Sequence, residues 1–186
     1  MLGVGWSVCR DTYTHGVDAA PLLAEIARQL QNLHFDVVLI GNAAAALQGA
    51  PVTTVDFDFM FRKTPVNLRK LKALATALGA TVLRPYYPAS DLFRVVRDDD
   101  GLQLDFMAGV HGVRSFAGLR ARATAIDLGG STLLVASLPD IIRSKKAARR
   151  PRDLAVLDVL EKTDGEKKRA SQETRRPPAR KRARAR

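Results

Sequence analysis

Cysteine and long apolar runs are both scarce in this chain, and each absence excludes a class of protein. Cys9 is the only cysteine among 186 residues, so neither an internal disulfide nor a thiolate metal cluster can form. No apolar run reaches the ~18 residues that a membrane-spanning helix needs. The N-terminus lacks a basic region followed by a long apolar stretch, which argues against a signal peptide. We therefore expect a cytoplasmic protein with no membrane contact.

Several common catalytic motifs are also missing. The sequence has no P-loop and no dinucleotide-binding glycine pattern, and no serine lies in a nucleophile elbow. The three histidines, His15, His34 and His111, are scattered along the chain and have no partner at metal-ligand spacing. We expect them to be surface residues or residues with satisfied hydrogen bonds.

Positive charge is abundant, and most of the excess lies at the C-terminal end. The formal net charge is +11; residues 164–186 hold ten Lys or Arg against three Asp or Glu. This segment has no apolar periodicity and repels itself, so we expect a basic disordered tail. The tail either keeps the protein soluble or makes non-specific, salt-sensitive contacts with a phosphate backbone.

Hydrophobic patterning predicts an α/β (α+β) fold in which helices pack on one mixed β-sheet. Residues 1–20 are expected to form a leader, residues 21–163 the folded domain and residues 164–186 the tail. Within the domain we predict helix, strand, helix, strand and helix, then a β-rich stretch, then a helix from near Ser137. A final helix is predicted over 152–162, with Leu154, Leu157 and Leu160 facing inward.

Two aspartates stand one residue apart in the apolar segment VDFDFMF, residues 55–61. If this whole segment is a strand, Asp56 and Asp58 share one face and Val55 shares the other with the phenylalanines. Two adjacent carboxylates repel each other unless a cation lies between them. A hard divalent ion such as Mg²⁺ suits such a pair because it prefers oxygen ligands and often binds substrate phosphates.

A third acid follows in the segment LQLDFMAG, residues 102–109. Alternation places Asp105 on the polar face of a predicted strand, the second of a hairpin with residues 93–98. If this strand lies beside residues 55–61, Asp105 joins Asp56 and Asp58 in one patch. The alternative is that Asp105 is a solvated residue at a sheet edge.

Candidate phosphate contacts lie in two further places. Gly41-Asn42 stands between a predicted buried strand and a helix, where backbone N–H groups favour an anion. Alternatively, Gly41 only makes the turn. Lys145 follows two isoleucines that would dock its helix on the core and turn the lysine inward, with Asp153 placed to orient it. Alternatively, Lys145 and the lysine and arginines that follow it form a solvated helix face.

Taken together, these motifs resemble the DNA polymerase β-like nucleotidyltransferase superfamily, and most closely its AbiEii/MenT-like branch, which includes toxins of toxin–antitoxin pairs. The resemblance covers residues 21–162. The family has Gly-Gly or Gly-Ser where Gly41-Asn42 stands, T-x-D-x-D at Thr54, Asp56 and Asp58, and a later strand acid that Asp105 matches. Many relatives also carry S-K-x-A-x-R-P-x-D, which this chain matches, with one extra residue before Arg150, at Ser144, Lys145, Ala147, Arg150, Pro151 and Asp153.

Two positions depart from the family pattern. Asn42 replaces the usual Gly or Ser, and Val52 stands where relatives often have Arg after the proline. The segment between Gly41-Asn42 and the first aspartate, residues 43–55, matches the longer AbiEii/MenT-like branch better than the shorter nucleotidyltransferases.

The resemblance implies transfer of a nucleoside monophosphate from an NTP to an acceptor hydroxyl, with release of pyrophosphate. Asp56, Asp58 and Asp105 would bind Mg²⁺, and Asp105 would complete the metal site or help deprotonate the acceptor. Lys145 would be catalytic, and nucleotide binding would involve Gly41, Asn42, Thr54, Lys145 and Asp153. The implied partners are the NTP, a tRNA 3′ end as acceptor and a cognate antitoxin.

Two alternatives stay open at this point. The same fold can modify a protein or a small molecule, or the chain can be a non-catalytic RNA-binding protein with a degenerate nucleotidyltransferase scaffold. The second alternative predicts RNA binding that survives loss of Asp56 and Asp58 but not removal of residues 164–186.

Overall fold

A seven-stranded mixed sheet is the centre of the computed structural model, which describes residues 19–174. Its spatial order is β3-β4-β5-β2-β1-β7-β6. The strands are β1 (Val37–Ile40), β2 (Phe57–Phe61), β3 (Thr81–Leu83), β4 (Phe93–Arg97), β5 (Leu102–Met107), β6 (Thr124–Asp127) and β7 (Thr132–Val135). The predicted mixed α/β class is confirmed. The predictions for residues 1–18 and 175–186 lie outside the described residues.

The middle of the sheet combines parallel and antiparallel pairs. Strand β1 pairs antiparallel with β2 and parallel with β7. Strand β2 pairs parallel with β5, which forms the predicted hairpin with β4. All four residues of β1 are buried, as its continuous apolar run predicts. Strand β2 therefore lies in the interior of the sheet, between the buried β1 and β5.

Helices pack against this sheet, and polar residues mark where several of them begin. The hydroxyls of Thr64, Ser115 and Ser137 each accept a hydrogen bond from a backbone N–H in the first turn that follows. The described helices are α1 (Ala19–Asn32), α2 (Gly41–Ala46), α3 (Pro65–Ala77), α4 (Phe116–Arg122), α5 (Leu138–Ala148), α6 (Pro151–Leu154) and α7 (Leu157–Thr174). None of them is both long and apolar enough to cross a membrane.

Phenylalanines from neighbouring strands form the centre of the core. The rings of Phe59 and Phe106 stack with centroids 5.0 Å apart, and Phe61 meets Phe106 edge to face at 6.2 Å. All three side chains are fully buried. Because side chains alternate along a strand, this packing directs Asp58 and Asp105 to the opposite face of the sheet.

Strand β2 is shorter than predicted, so the prediction for Val55 is wrong. The strand begins at Phe57, and Val55 and Asp56 lie in a bend just before it. Val55 is 94% exposed. The Thr54 hydroxyl lies 2.8 Å from the carbonyl oxygen of Asp56 and holds this bend. Side-chain hydrogen bonding of this kind competes with the pairing of strands.

The C-terminal helices differ most from the sequence-based expectation. Leu154 is 49% exposed rather than inward-facing, because α6 is a single turn after Pro151 and the helical period restarts in α7. Helix α7 then continues to Thr174, well into the segment predicted to be disordered. A Lys168–Asp164 pair at 2.6 Å, at i,i+4 spacing, supports it. The residues of this segment are mostly strong helix formers, which outweighs their lack of apolar periodicity.

Helix α4 was not predicted. Its sequence FAGLRAR offers two buried apolar side chains, Phe116 and Leu119, and a serine cap. Two apolar residues three positions apart are too short a pattern to distinguish a helix from a loop.

Candidate active site

Three carboxylates meet where β2 and β5 run side by side. Parallel pairing places Asp58 directly opposite Asp105. Asp56 joins them from the bend before β2, and one oxygen atom from each of the three carboxylates lies within 4.8 Å of the other two. The structure thus brings together the three acids that the sequence singled out, although Asp56 reaches the cluster from a bend rather than from a strand.

Asp56 and Asp58 are held by different neighbours. The Thr54 hydroxyl lies 3.0 Å from Asp56 Oδ1, in addition to its contact with the Asp56 carbonyl. Gly41 approaches Asp58 so closely that a Cβ at this position would lie 2.5 Å from Asp58 Oδ2. Gly41 also has a φ of +71°, which L-residues with a side chain rarely adopt. Thr54 and Gly41 therefore position the two acids in the structure.

Negative charge in this cluster is only partly compensated. Burial, together with the nearby carboxylates of Asp56 and Asp105, raises the pKa of Asp58 to about 7. The positive charges of Arg152 and Lys145 oppose this shift. The Asp58 carboxyl lies in a position where a cation would relieve unfavourable charge.

Asp105 differs from the other two acids because it has a strong partner. Arg94 Nε donates to Asp105 Oδ1 and Arg94 Nη2 to Asp105 Oδ2, both at 2.7 Å. Such a bidentate pair is among the stronger hydrogen-bonded contacts in proteins. The Gln103 amide lies 3.4 Å from Asp56 and 3.5 Å from Asp105, bridging two of the acids.

Sequence reasoning missed Arg94, because the predicted hairpin loop was one residue shorter than the observed turn. The β4–β5 hairpin was predicted, and in its register Arg94 lies directly opposite Asp105. Cross-strand neighbours of opposite charge interact on one face of a sheet. Counting outward from the predicted loop, residues 99–101, places Val95 opposite Asp105, and only the observed four-residue turn, residues 98–101, gives the pair with Arg94.

Lys145 lies on the buried side of α5, as the two preceding isoleucines predicted. Its side chain is 10% exposed, and its Nζ donates to Asp153 Oδ1 at 3.1 Å. Asp153 belongs to the short helix α6 and is also buried. The structure therefore places Lys145 and Asp153 together, in the orientation that was predicted for them.

Two more cations line the same cleft. Arg150 and Arg152 are exposed residues at its rim, and within residues 19–174 neither forms an ion pair. Neither was among the predicted site residues, because a run of arginines in a sequence does not show which of them face a cleft.

Gly41 and Asn42 also line the cleft, and one of the two side-chain donors of Asn42 is already used. Its Nδ2 donates to the carbonyl oxygen of Thr53 at 3.1 Å. Its Oδ1 is buried and has no hydrogen-bond partner among the described residues. A carbonyl oxygen cannot donate to a phosphate, so a phosphate contact at this position would come from the backbone N–H or from the second hydrogen of Nδ2.

All these groups surround one cleft of about 640 Å³. The three acids lie on the β5–β2 pair, between two walls that the strand order defines. Arg94 on β4 and Tyr86 in the β3–β4 loop belong to the wall on the β5 side. Lys145, Arg150 and Arg152 belong to the wall on the β1 side, because α5 and α6 follow β7 and α5 packs on α2. The cleft is large enough for a small-molecule ligand.

No protein-family model matches the chain, and no curated protein matches it in sequence. Solved structures do match. The structure of ANT(2")-Ia in complex with adenylyl-2"-tobramycin superimposes with a TM-score of 0.56 and 16% identity, over 86% of this chain and 99% of that one. The chain has the nucleotidyltransferase fold. This confirms the expected fold, whereas membership of the superfamily and of its AbiEii/MenT-like branch stays a prediction.

Two further structures have the same fold. The lincosamide antibiotic adenylyltransferase LnuA, bound to lincomycin, gives a TM-score of 0.56 at 10% identity, covering 78% of this chain and 96% of that chain. An antigenic nucleotidyltransferase-like protein from Paracoccidioides brasiliensis gives 0.52 at 15% identity, covering 79% of this chain and 77% of that chain. At these identities the likeness describes the architecture, and the chemistry has to be argued from this chain's own site.

Proposed function

We propose that this protein is a nucleotidyltransferase that moves a nucleoside monophosphate from an NTP to the 3′ hydroxyl of an RNA, in particular a tRNA, and releases pyrophosphate. One observation carries the proposal. On this fold, three converging carboxylates and a wall of cations face the same cleft. The first set suits a divalent cation and the second suits phosphates.

The carboxylates fit Mg²⁺ by their chemistry. All three offer hard oxygen ligands, and the raised pKa of Asp58 reflects negative charge that lacks a counterion. Asp56 and Asp58 would hold the ion, and Asp105 would complete the site. When bound, Mg²⁺ would stabilise the charge that builds up on the phosphoryl oxygens during the displacement.

The cationic wall would bind the triphosphate. Lys145 is held by Asp153, so little conformational freedom is lost when it meets a phosphate. Arg150 and Arg152 are free to turn toward a charged ligand, and Arg152 is already close enough to lower the pKa of Asp58. These three side chains would stabilise the negative charge of the departing pyrophosphate.

The choice of RNA as acceptor rests on charge. Positive side chains at the rim of the cleft attract a phosphate backbone, and further lysines and arginines follow in α7 and beyond it in the sequence. The role as toxin of a toxin–antitoxin pair is part of the proposal and rests on the sequence resemblance.

The first test is label transfer. Purified protein, Mg²⁺ and each α-labelled NTP in turn are incubated with the RNA, protein and small-solute fractions of a bacterial lysate. We expect label in tRNA, its loss in Asp56→Ala, and its persistence in Asp99→Asn, which changes an exposed acid outside the cleft. Label confined to another fraction would identify a different acceptor, and no label with any NTP would refute the activity.

The toxin role needs a separate test. Induced expression of the wild-type protein is expected to arrest bacterial growth, and Asp56→Ala at equal expression is expected to permit it. Equal growth of both strains would contradict the toxin role and leave the transfer reaction standing.

A further inference from the structure

We infer that Tyr86 is a stacking platform for an unpaired base at the end of a single-stranded RNA acceptor. The inference rests on the proposed function and adds the position at which this chain would bind the acceptor. It follows from the two walls of the cleft, from the exposure of Tyr86 and from the surroundings of its neighbour Tyr87.

The two walls assign the donor and the acceptor to different sides. In phosphoryl transfer the attacking and leaving oxygens lie roughly in line, on opposite sides of the phosphorus. Lys145, Arg150 and Arg152 belong to one wall and suit the leaving pyrophosphate. The acceptor then approaches from the other wall, where Tyr86 and Arg94 lie.

Tyr86 lies close to the reacting centre on that wall. It is an electrostatic neighbour of Arg94, whose guanidinium contacts Asp105 at 2.7 Å. The backbone N–H of Ser90 donates to the Tyr86 carbonyl at 2.7 Å. An ion pair of 2.7 Å between Lys63 and Asp91 ties the same loop to the chain after β2. The ring is thus carried by an anchored loop beside the acids.

Tyr86 and Tyr87 are both exposed, but only one of them has a free ring face beside the cleft. Tyr86 is 57% exposed and Tyr87 is 63% exposed. The guanidinium of Arg84 lies 3.7 Å from the centroid of the Tyr87 ring, and Tyr87 does not line the cleft. Tyr86 lines it, and its ring makes no stacking or cation–π contact among the residues that the structure describes.

A nucleobase is the ring that best fits this position. Every base has a π-face that stacks on a tyrosine, whatever the sequence, and only an unpaired base presents that face fully. The cations of the opposite wall attract the phosphates of the same strand. A single-stranded RNA end therefore suits both the Tyr86 ring and the positive charge of Arg150 and Arg152 at the rim of the cleft.

Binding of a short oligonucleotide tests the inference without any reaction. The probe is a 5′-fluorescein-labelled, single-stranded RNA of eight nucleotides, titrated with full-length protein in EDTA and followed by fluorescence anisotropy. We expect Tyr86→Ala to weaken binding about tenfold, as for the loss of one stacked base. Tyr86→Phe keeps the ring, and Tyr87→Ala removes a similarly exposed ring outside the cleft. Both should bind within about twofold of wild type.

A second probe locates the stacked base. The same RNA is made abasic at its last or next-to-last nucleotide. One of these two changes should weaken binding to wild type about tenfold and leave binding to Tyr86→Ala unchanged, because the ring and the base act as one pair.

Three results would overturn the inference. They are wild-type affinity in Tyr86→Ala, equal losses in the Tyr86→Ala and Tyr87→Ala variants, and an abasic penalty that is the same with and without the Tyr86 ring. Undetectable binding of the RNA by wild type would overturn it as well. Because the titration uses neither NTP nor metal, these results do not depend on whether nucleotide transfer occurs.

Discussion

Replacing Asp58 by asparagine should make the metal-free protein more stable. In the folded protein the pKa of Asp58 is raised from 3.8 to about 7 by burial and by the two neighbouring carboxylates. Between these two pH values the folded state keeps a proton that the unfolded chain has released, so stability falls as pH rises. Above pH 7 the folded protein carries the full cost of this charge. Asparagine has nearly the same shape and carries no charge.

The magnitude follows from the shift in pKa. A change of about three units corresponds to about 4 kcal/mol, at about 1.4 kcal/mol for each unit. Asp58 keeps some contact with water, which screens its charge, so we expect about half of this, ~2 kcal/mol. In a domain of this size ~2 kcal/mol raises Tm by about 4–8 °C.

Thermal unfolding at pH 5 and pH 8 in EDTA measures the effect. Asp58→Asn should have a higher Tm than wild type at pH 8, and the difference in Tm should be much smaller at pH 5. Addition of Mg²⁺ should stabilise wild type, since a ligand that binds only the folded state shifts the equilibrium, and should not stabilise the variant. Asp105→Asn is the contrasting variant, because it removes the bidentate partner of Arg94. Its free energy of unfolding should fall by ~1–2 kcal/mol. A variant Asp58→Asn that is less stable than wild type at pH 8 would refute the reasoning.

Further expectations concern the lysine pair and the glycine beside Asp58. Lys145→Met leaves Asp153 buried without its cation and should lower the free energy of unfolding in urea by ~3 kcal/mol. Adding Asp153→Leu should restore most of the stability but none of the activity; recovery of activity would contradict the role of Lys145. Gly41→Ala should abolish the Mg²⁺-dependent rise in Tm, because its Cβ would displace Asp58. Gly49→Ala has comparable backbone strain with open space around it, and it should keep the rise.

Strand alternation made the acid cluster predictable from the sequence. The apolar residues of VDFDFMF and LQLDFMAG identify one buried face on each strand, so Asp58 and Asp105 had to lie on the other. The pattern could not show that the two strands are neighbours, because pairing between distant segments depends on the whole sheet. The same holds for Lys145 and Asp153, where the helix pattern gave the direction but not the 3.1 Å contact.

The features that the sequence did not predict depend on local hydrogen bonds, on helix propensity or on contacts between distant segments. Asp56 lies in a bend because the Thr54 hydroxyl competes with the pairing of strands at that point. Tyr86 is noteworthy only because the loop that carries it folds back against the cleft. Helix α7 continues past residue 164 because helix propensity can suffice where apolar periodicity fails.

The charges of the cleft match Mg²⁺ and an NTP together better than either alone. Asp105 is already paired with Arg94, and Lys145 is already paired with Asp153. The groups left without a partner of opposite charge among the described residues are Asp56 and Asp58 on one side, and Arg150 and Arg152 on the other. Two carboxylates match one divalent ion, and two guanidinium groups match the phosphates that such an ion carries. Asp56 and Asp58 are therefore expected to contribute most of the charge that attracts the ion, and Asp105, whose charge Arg94 already balances, to complete the site.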